Sequence, residues 1–437
     1  MKLKILASVL TVTAAIAAPP AKTTPSVTYN KDVLPILQNR CQGCHRPGEI
    51  GPMSFLTYKE TRPWAKAIRE AVNSAKMPPW FADPKYGHFA NDRSMSPKEI
   101  ETISAWVDSG APEGNSKDRP AAREFIDGWA MDKPDAVYQI PSAFEVPATG
   151  TVEYQYIVVP TNLTEDKWVQ MTEARPTNRA VVHHVVVYIR EPNSKWLRGE
   201  ATPGVPFVPP AKTPEGKPRN DIGGAGSDIL TIYTPGNSPD VWRPGLAKLI
   251  KAGSDLVFQL HYTANGKAGS DQSRVGVIFA KEPPTERVMT IGLGNNKFEI
   301  PPGDPNYRVP FTATLPNSST LLSFFPHMHL RGKAFEYKVT QPGGEQETLL
   351  KINNYNFNWQ LTYRLEKPLL LQEGAKLEIA GYFDNSPNNP YNPDPKATVK
   401  FGEQSWEEMM IGFIDIAVDA KMDKKTFFAK KPEKADD

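Results

Sequence analysis

Cysteine occurs twice in this chain of 437 residues, at Cys41 and Cys44. Both stand in the stretch CQGCH, residues 41–45, immediately ahead of His45. One chemistry uses all three side chains. Two thiols on one turn reach the two vinyl groups of a haem, and the adjacent imidazole meets the iron from one face. CxxCH is the attachment signature of c-type haem, with His45 as the proximal iron ligand. The distal ligand is expected on a later loop. Met77, in KMPPW, is the preferred candidate, because a thioether raises the haem potential and the double proline stiffens the loop presenting it. Met53, Met95 and His88 compete for that position.

Beyond His45 the histidines are His88, His183, His184, His261, His327 and His329. All but His88 fall inside strand-like runs. In HMH, His327 and His329 sit at i and i+2, so a strand aims both at one point and turns Met328 away. That geometry suits chelation of one metal. In VVHHVVV the two histidines are consecutive, and a regular strand sends them to opposite faces. Both reach one metal only where a bulge or a strand end re-aims one of them. In DLVFQLHYT, His261 shares a face with Gln259 and Val257. Imidazole suits copper, zinc, iron and nickel, and a soft thioether added to it points towards copper.

The elements that must position these groups divide the chain. Residues 28–112 have helical spacing. SPKEIETISAWVDSGAP is a marked helix, with Ser96 as cap, Pro97 in the first turn, Glu99 at capping-box distance and Gly110 as stop. From about 134 to 420 short apolar or alternating runs are separated by Pro, Gly and Asn turns, the rhythm of antiparallel sandwiches or jelly rolls. The 43 prolines fit that β-rich reading. FEVP at 144–147 and FEIP at 298–301 each precede a histidine-bearing strand, which suggests two sandwiches. The expected plan is a small all-α domain at 19–112, a linker at 113–133, sandwiches at 134–285 and 286–420, and a charged, frayed tail at 421–437. Residues 1–18 read as an export signal, with Lys2 and Lys4 ahead of an apolar run and small residues near Ala17 and Ala18. The expected location is therefore periplasmic or extracellular, with no membrane span once the signal is cleaved. With 51 basic and 49 acidic residues the net charge is +2, and nothing in it favours a nucleic-acid partner, which would need a clustered basic face.

Two resemblances emerge from these motifs. Over residues 28–112, CxxCH followed by a methionine loop and a tryptophan-bearing helix end is similar to a class I cytochrome c. Over roughly 134–420, the order VVHHVVVY, FQLHY, HMHLRGK and WEEMMIGF resembles the copper type II, ascorbate-dependent monooxygenases, the family of dopamine beta-monooxygenase and peptidylglycine alpha-hydroxylating monooxygenase. That resemblance implies one copper on His183, His184 and His261, which stores and passes an electron across an open cleft. It implies a second copper on His327, His329 and Met409, where O2 is bound and a substrate C–H bond hydroxylated. Alignment with the family's EEM segment implies Met409 rather than Met410, and strand parity agrees with it, since Met410 shares a face with Ile414, Ile416 and Val418. Gln259 matches a glutamine beside the family's third histidine. Electrons would pass from haem c through the three-histidine copper to the methionine-bearing one. The implied partners are O2, a small organic substrate and an external donor, either ascorbate-like or a redox protein. A different class, an electron-transfer or copper-binding protein without monooxygenase activity, uses the same ligands. A cytochrome joined to a carbohydrate-binding sandwich leaves the strand histidines unexplained.

The chain departs from the family in two respects. The animal enzymes are disulfide-rich, whereas haem attachment would leave this chain no cysteine. Positions held in the peptide-amidating enzyme by a substrate-gripping arginine and a tyrosine are Phe325 and Phe413 here, which argues for a more apolar substrate than a glycine-extended peptide.

Overall fold

The computed structural model describes residues 27–125, 128–210, 212–214, 216 and 227–429. The expected export signal, residues 1–18, lies outside them. No helix among the described residues is long and apolar enough to cross a membrane.

The first elements are helical: a π-turn at Tyr29–Val33, then α1 (Leu34–Arg40), α2 (Tyr58–Thr61), α3 (Ala65–Asn73) and α4 (Pro97–Asp108). The start of α4 follows from its sequence. The Ser96 hydroxyl accepts from the Glu99 amide, and the Glu99 carboxylate accepts from the Ser96 amide at 2.7 Å, so two orphan donors are satisfied reciprocally. Gly110, at φ +90°, ends it in a conformation that disfavours a Cβ. Ile68 and Val72 of α3, Leu34 and Leu37 of α1 and Ile103 and Trp106 of α4 share one small core. The Trp106 ring is fully buried, and its Nε1–H donates to Pro112 O at 3.0 Å. The polar stretch 113–125 is laid back along this core. Arg119 donates to Asn30, and Arg123 donates to the Gln38 carbonyl.

Residues 80–92 depart from the expected compact helical unit. They form an arm on the far β region, with Phe89 inside its core and the Trp80 ring 4.8 Å from that of Tyr363. The Asp83 and Ala90 amides donate to Lys351 and Arg364 carbonyls. The arm thereby caps two sheet edges that would otherwise present unpaired backbone groups.

The rest of the chain is mostly β. In order the strands are β1 (Ala136–Gln139), β2 (Phe144–Val146), β3 (Gln155–Pro160), β4 (Lys167–Arg175), β5 (Val182–Arg190), β6 (Asp228–Tyr233), β7 (Asp240–Val241), β8 (Leu246–Ile250), β9 (Asp255–Tyr262), β10 (Gly269–Asp271) and β11 (Arg274–Phe279). They continue as β12 (Glu286–Gly294), β13 (Glu299–Ile300), β14 (Tyr307–Thr314), β15 (Ser319–His327), β16 (Gly332–Thr340), β17 (Gln346–Ile352), β18 (Tyr363–Leu371), β19 (Lys376–Phe383), β20 (Val399–Lys400) and β21 (Ile411–Asp419). One sheet runs β1-β11-β4-β8-β12-β21-β15-β18, with β7 on β4. The sheet β3-β9-β5-β6 stacks on its first half and β14-β19-β16-β17 on its second, with a separate apolar core in each stack. The halves meet at the parallel pair β8·β12, which is short: Glu286 opposite Leu246 and Arg287 opposite Ala247. FEVP and FEIP both supply short ribbon strands, β2 with β10 and β13 with β20. The histidine strands that follow are not equivalent, since β5 lies in a four-stranded sheet and β15 in the long shared one.

Buried charge reinforces this joint. The Asp228 side chain, 6% exposed, accepts from the Thr290 amide at 3.0 Å and lies 3.5 Å from Lys424 Nζ and 4.0 Å from Arg287. Burial pushes its carboxyl up, but Lys424, Lys248, the Thr290 amide and Arg287 together hold it below the ordinary value. Lys424 belongs to α5 (Lys424–Phe428), where Phe427 is buried in the second core. The tail at 421–437 is thus docked over its first part rather than frayed, and residues 430–437 lie outside the described residues. Asp228→Asn is expected to lower unfolding stability by about 3 kcal/mol in chemical denaturation at neutral pH, because it leaves buried cations without their anion. With a depressed folded pKa, the native contribution is present above the carboxylate's unfolded value and fades as pH falls through the folded one.

Candidate functional site

The strand histidines are brought together by three different local devices. On β5 the pairing with β9 shifts between Val182 and His184, so that Val182 opposes Tyr262 and His184 opposes His261. His183 is the extra residue of this bulge. Its ring swings to the side of its neighbour, with Nδ1 of His183 and Nδ1 of His184 3.2 Å apart. His261 arrives by cross-strand register. One ligand atom from each of His183, His184 and His261 can be chosen so that all lie within 4.8 Å of one another.

His327 ends β15 and His329 follows it, with ring centroids 5.1 Å apart. Met328 turns into the opposite, fully buried face, beside Met410. The antiparallel register of β15 on β21 runs as far as His327 opposite Ile411, two residues along the chain from Met409. Met409 is buried, as is Glu408 before it. The Glu408 carboxylate accepts from the His329 amide at 2.8 Å and from the Arg331 amide at 2.6 Å, which ties the HMH turn to the EEM segment. Burial pushes the Glu408 carboxyl up to about 8, against the pull of these amides and of Arg331.

The hydrogen bonds decide the tautomers. An amide oxygen only accepts, so His327 Nδ1 donates to Gln360 Oε1 at 2.7 Å, and the Gln360 amide group is oriented by its own donation to Phe357 O. His329 Nδ1 likewise donates to Glu407 O at 3.2 Å. In both rings Nε2 is left with its lone pair free, the arrangement that outer partners impose on metal-binding imidazoles. His329 Nε2, His183 Nε2 and His261 Nδ1 are buried and have no hydrogen-bond partner. Burial, with neighbouring imidazoles adding to it, holds His183 down to about 4 and His184 and His261 well below the ordinary range. Burial does the same to His327, down to about 4, and to His329. All five are therefore neutral near pH 7, as ligands must be.

The two histidine groups adjoin. The His184 and His327 rings are 6.3 Å apart, and Phe357 stacks on His183 at 4.3 Å while standing 6.3 Å from His329. The open cleft implied by the resemblance is absent between them, because the loop bearing Phe357 fills it. Phe325 and Phe413 oppose each other on β15 and β21 with rings 6.1 Å apart, and Phe413 is 6.5 Å from His327. They border a cavity of about 30 Å³ shared with Lys248 and Asp415. Gln259 donates to the Tyr156 hydroxyl rather than turning to a histidine.

A second site lies at the CxxCH motif. A cavity of about 960 Å³ is lined by Cys41, Cys44, His45, Met53 and Met77, with Phe55, Ile68 and Val72 as apolar wall. Its far wall comes from the β region: Arg175, Arg179, Tyr233, Gly236 and Trp359. His45 Nδ1 donates to Met53 O at 3.3 Å, which leaves Nε2 free and engages the Met53 backbone on the His45 imidazole. Of the other axial candidates, Met95 packs on the helical core and His88 is exposed on the arm, both off this wall. The two thiols are not bonded to each other, and burial pushes Cys41 up to about 12 and raises Cys44 as well. Such thiols are poor thiolates, unlike those of a thiol-exchange CxxC pair. The cavity's size and donor set fit a covalent haem, and the bare imidazole nitrogens fit copper.

Sequence reasoning missed Phe357, Trp359, Gln360 and Glu408. Glu408 stood inside the quoted WEEMM. Trp359 and Gln360 stand in WQLTYRL, one of the short apolar or alternating runs of the β-rich region, where no local pattern distinguishes a residue that serves a distant histidine.

No family model and no curated protein matches the chain. Among solved structures, the major capsid protein P2 of bacteriophage PM2 is similar over 65% of this chain and 98% of its own, at 9% identity and a TM-score of 0.27. The infectious bursal disease virus VP2 subviral particle is similar over 68% and 75%, at 10% identity and 0.19. The tandem N-terminal CBM22 domains of Paenibacillus barcinonensis Xyn10C are similar over 64% and 93%, at 9% identity and 0.14. Likenesses this weak carry no argument about the site.

Proposed function

We propose that this chain is an exported haem c- and copper-dependent oxidoreductase that hydroxylates a C–H bond of a small organic molecule with O2. In this reading residues 19–112 are a class I cytochrome c-like domain, and 134–285 and 286–420 are the two sandwiches of a copper type II monooxygenase. One observation carries it. Five histidines from two sandwiches meet in one buried place, tied through Glu408 to the segment that carries Met409, with ring nitrogens left bare. An unpartnered buried polar atom costs about 1–3 kcal/mol, and several side by side make sense when metal ions take the lone pairs. His183, His184 and His261 would hold one copper, and His327, His329 and Met409 the other. Cys41 and Cys44 would tether the haem, with His45 and Met77 on its iron.

When bound, haem supplies single electrons and copper activates dioxygen, one oxygen atom entering the C–H bond and the other leaving as water as two electrons and two protons are consumed. The chain's own residues do the rest. Gln360 and the Glu407 carbonyl hold the His327 and His329 tautomers with Nε2 presented. Phe413 stands 6.5 Å from the His327 ring and Phe325 6.1 Å from Phe413, which makes that side of the imidazole apolar. An ascorbate-like molecule or a redox protein serves as external donor.

A second reading, an electron-transfer or copper-binding protein without monooxygenase activity, is favoured by how closely the two histidine groups stand, the His184 and His327 rings being 6.3 Å apart. Metal analysis of chain matured with haem and copper is expected to return one haem and two coppers, and a metal-free product would refute both readings. Substrate-dependent oxygen uptake by the reduced protein then separates them: hydroxylated product from an aromatic or aliphatic donor supports the enzyme, and none across a broad panel supports the carrier.

A further inference from the structure

The segment Phe357-Asn358-Trp359-Gln360 touches both sites. Trp359 is on the wall of the cavity that holds Cys41, Cys44 and His45. Its ring packs over Gly236, whose φ of +88° and lack of a Cβ permit the approach: an added Cβ would stand 3.3 Å from the indole and 3.3 Å from Arg93. The next residue, Gln360, is 2% exposed and accepts the Nδ1 proton of His327 at 2.7 Å. Its carbonyl accepts from the Thr234 hydroxyl, just beyond β6, whose Thr231 and Tyr233 also line the cavity. The dipeptide is therefore pinned at both ends. Cavity and histidine cluster are joined through consecutive residues of one backbone.

We propose that Trp359 and Gln360 form the electron bridge of this protein, leading from the CxxCH cavity to His327 without passing through the three-histidine group. The proposal rests on the haem–copper reading above. One electron leaves a ferrous haem tethered at Cys41 and Cys44, crosses the indole, the Trp359–Gln360 peptide and the Gln360–His327 hydrogen bond, and reduces a cupric ion on His327. The iron becomes ferric and the copper cuprous; no bond is made or broken and no proton is released. Gln360 is a positioning residue here, since it acts through the His327 ring.

The test uses full-length protein matured with haem and copper, kept anaerobic so that turnover plays no part. The haem is reduced rapidly by a one-electron donor, and loss of the ferrous absorption band is followed in time. Trp359→Leu and Gln360→Leu are each expected to slow that loss by about tenfold or more, the scale on which outer partners of metal-bound histidines act. Gln360→Glu, which still accepts the His327 proton, is expected to restore it. Trp129→Leu removes another indole from the same cavity wall and is expected to slow it less than Trp359→Leu. Native rates in both leucine variants, or an equal loss in Trp129→Leu, would overturn the bridge. Should Gln360→Leu lose its copper, the Trp359→Leu and Trp129→Leu pair decides. A chain that takes up no haem or no copper refutes the haem–copper reading itself, which the metal analysis registers before any rate is read.

Discussion

His329→Leu is expected to cost the matured protein one of its two coppers and all hydroxylated product, while leaving the metal-free fold within about 1 kcal/mol of native stability. The two halves of this expectation have different causes. The His329 ring is fully buried, with Nε2 facing no protein partner and Nδ1 spent on Glu407 O. In the metal-free state the imidazole is a burden as well as a contact: its bare nitrogen is desolvated, and only one hydrogen bond offsets that. An apolar side chain loses the hydrogen bond and removes the desolvated atom, so the terms nearly cancel. With copper present they do not cancel, because the native protein gains ligation free energy that the variant cannot recover. Copper should therefore raise the melting temperature of the native chain more than that of the variant. Equal copper content and equal copper-induced stabilisation in both would remove His329 from the site.

Cys44→Ser is expected to leave a chain that no longer carries covalent haem through denaturing electrophoresis. Cys41→Ser together with Cys44→Ser should leave the helical region with an unfilled cavity of about 960 Å³. Packed interiors do not tolerate large voids, so this region should open locally while the sandwiches stay folded. Limited proteolysis reads that directly: cleavage within 27–112 is expected to be faster in the double variant than in the native protein, while the rate of cleavage within the strands β1 to β21 stays unchanged. The alternative of a redox-active CxxC predicts a disulfide on oxidation and no haem. The buried, high-pKa thiols argue against it. Mass analysis of thiol-alkylated native protein decides the point, since thioether-linked cysteines take up no alkylating agent.

Much of the candidate site was legible in the chain because its signals are short. CQGCH declares its chemistry within five residues. HMH places two imidazoles within three residues, although β15 ends at His327 and His329 is held by Glu407 and Glu408 rather than by strand alternation. The start of α4 was equally local, because Ser96 and Glu99 satisfy each other. The adjacent pair at 183–184 marks the limit. Alternation showed that a bulge or a strand end was needed there, but the slip between Val182 and His184 is a property of how β5 meets β9.

Tertiary structure decided the remainder. The arm at 80–92 follows Met77 and the cavity loop, yet it packs on β17 and β18, because two sheet edges there lacked backbone partners. The same packing brings β-region residues onto the wall of the haem-sized cavity, sets Phe357 between two histidine groups that no spacing relates, and turns Trp359 to one site and Gln360 to the other. The sequence by itself determined which thiols, imidazoles and thioethers are present and which neighbours share a face, since those follow from covalent order and helix or strand period. How near the two histidine groups stand, how little space is left beside Phe325 and Phe413, and which residues join cavity to cluster depended on long-range register and on the packing of one sandwich against another. These are set by contacts between residues far apart in the chain, and no local period encodes them.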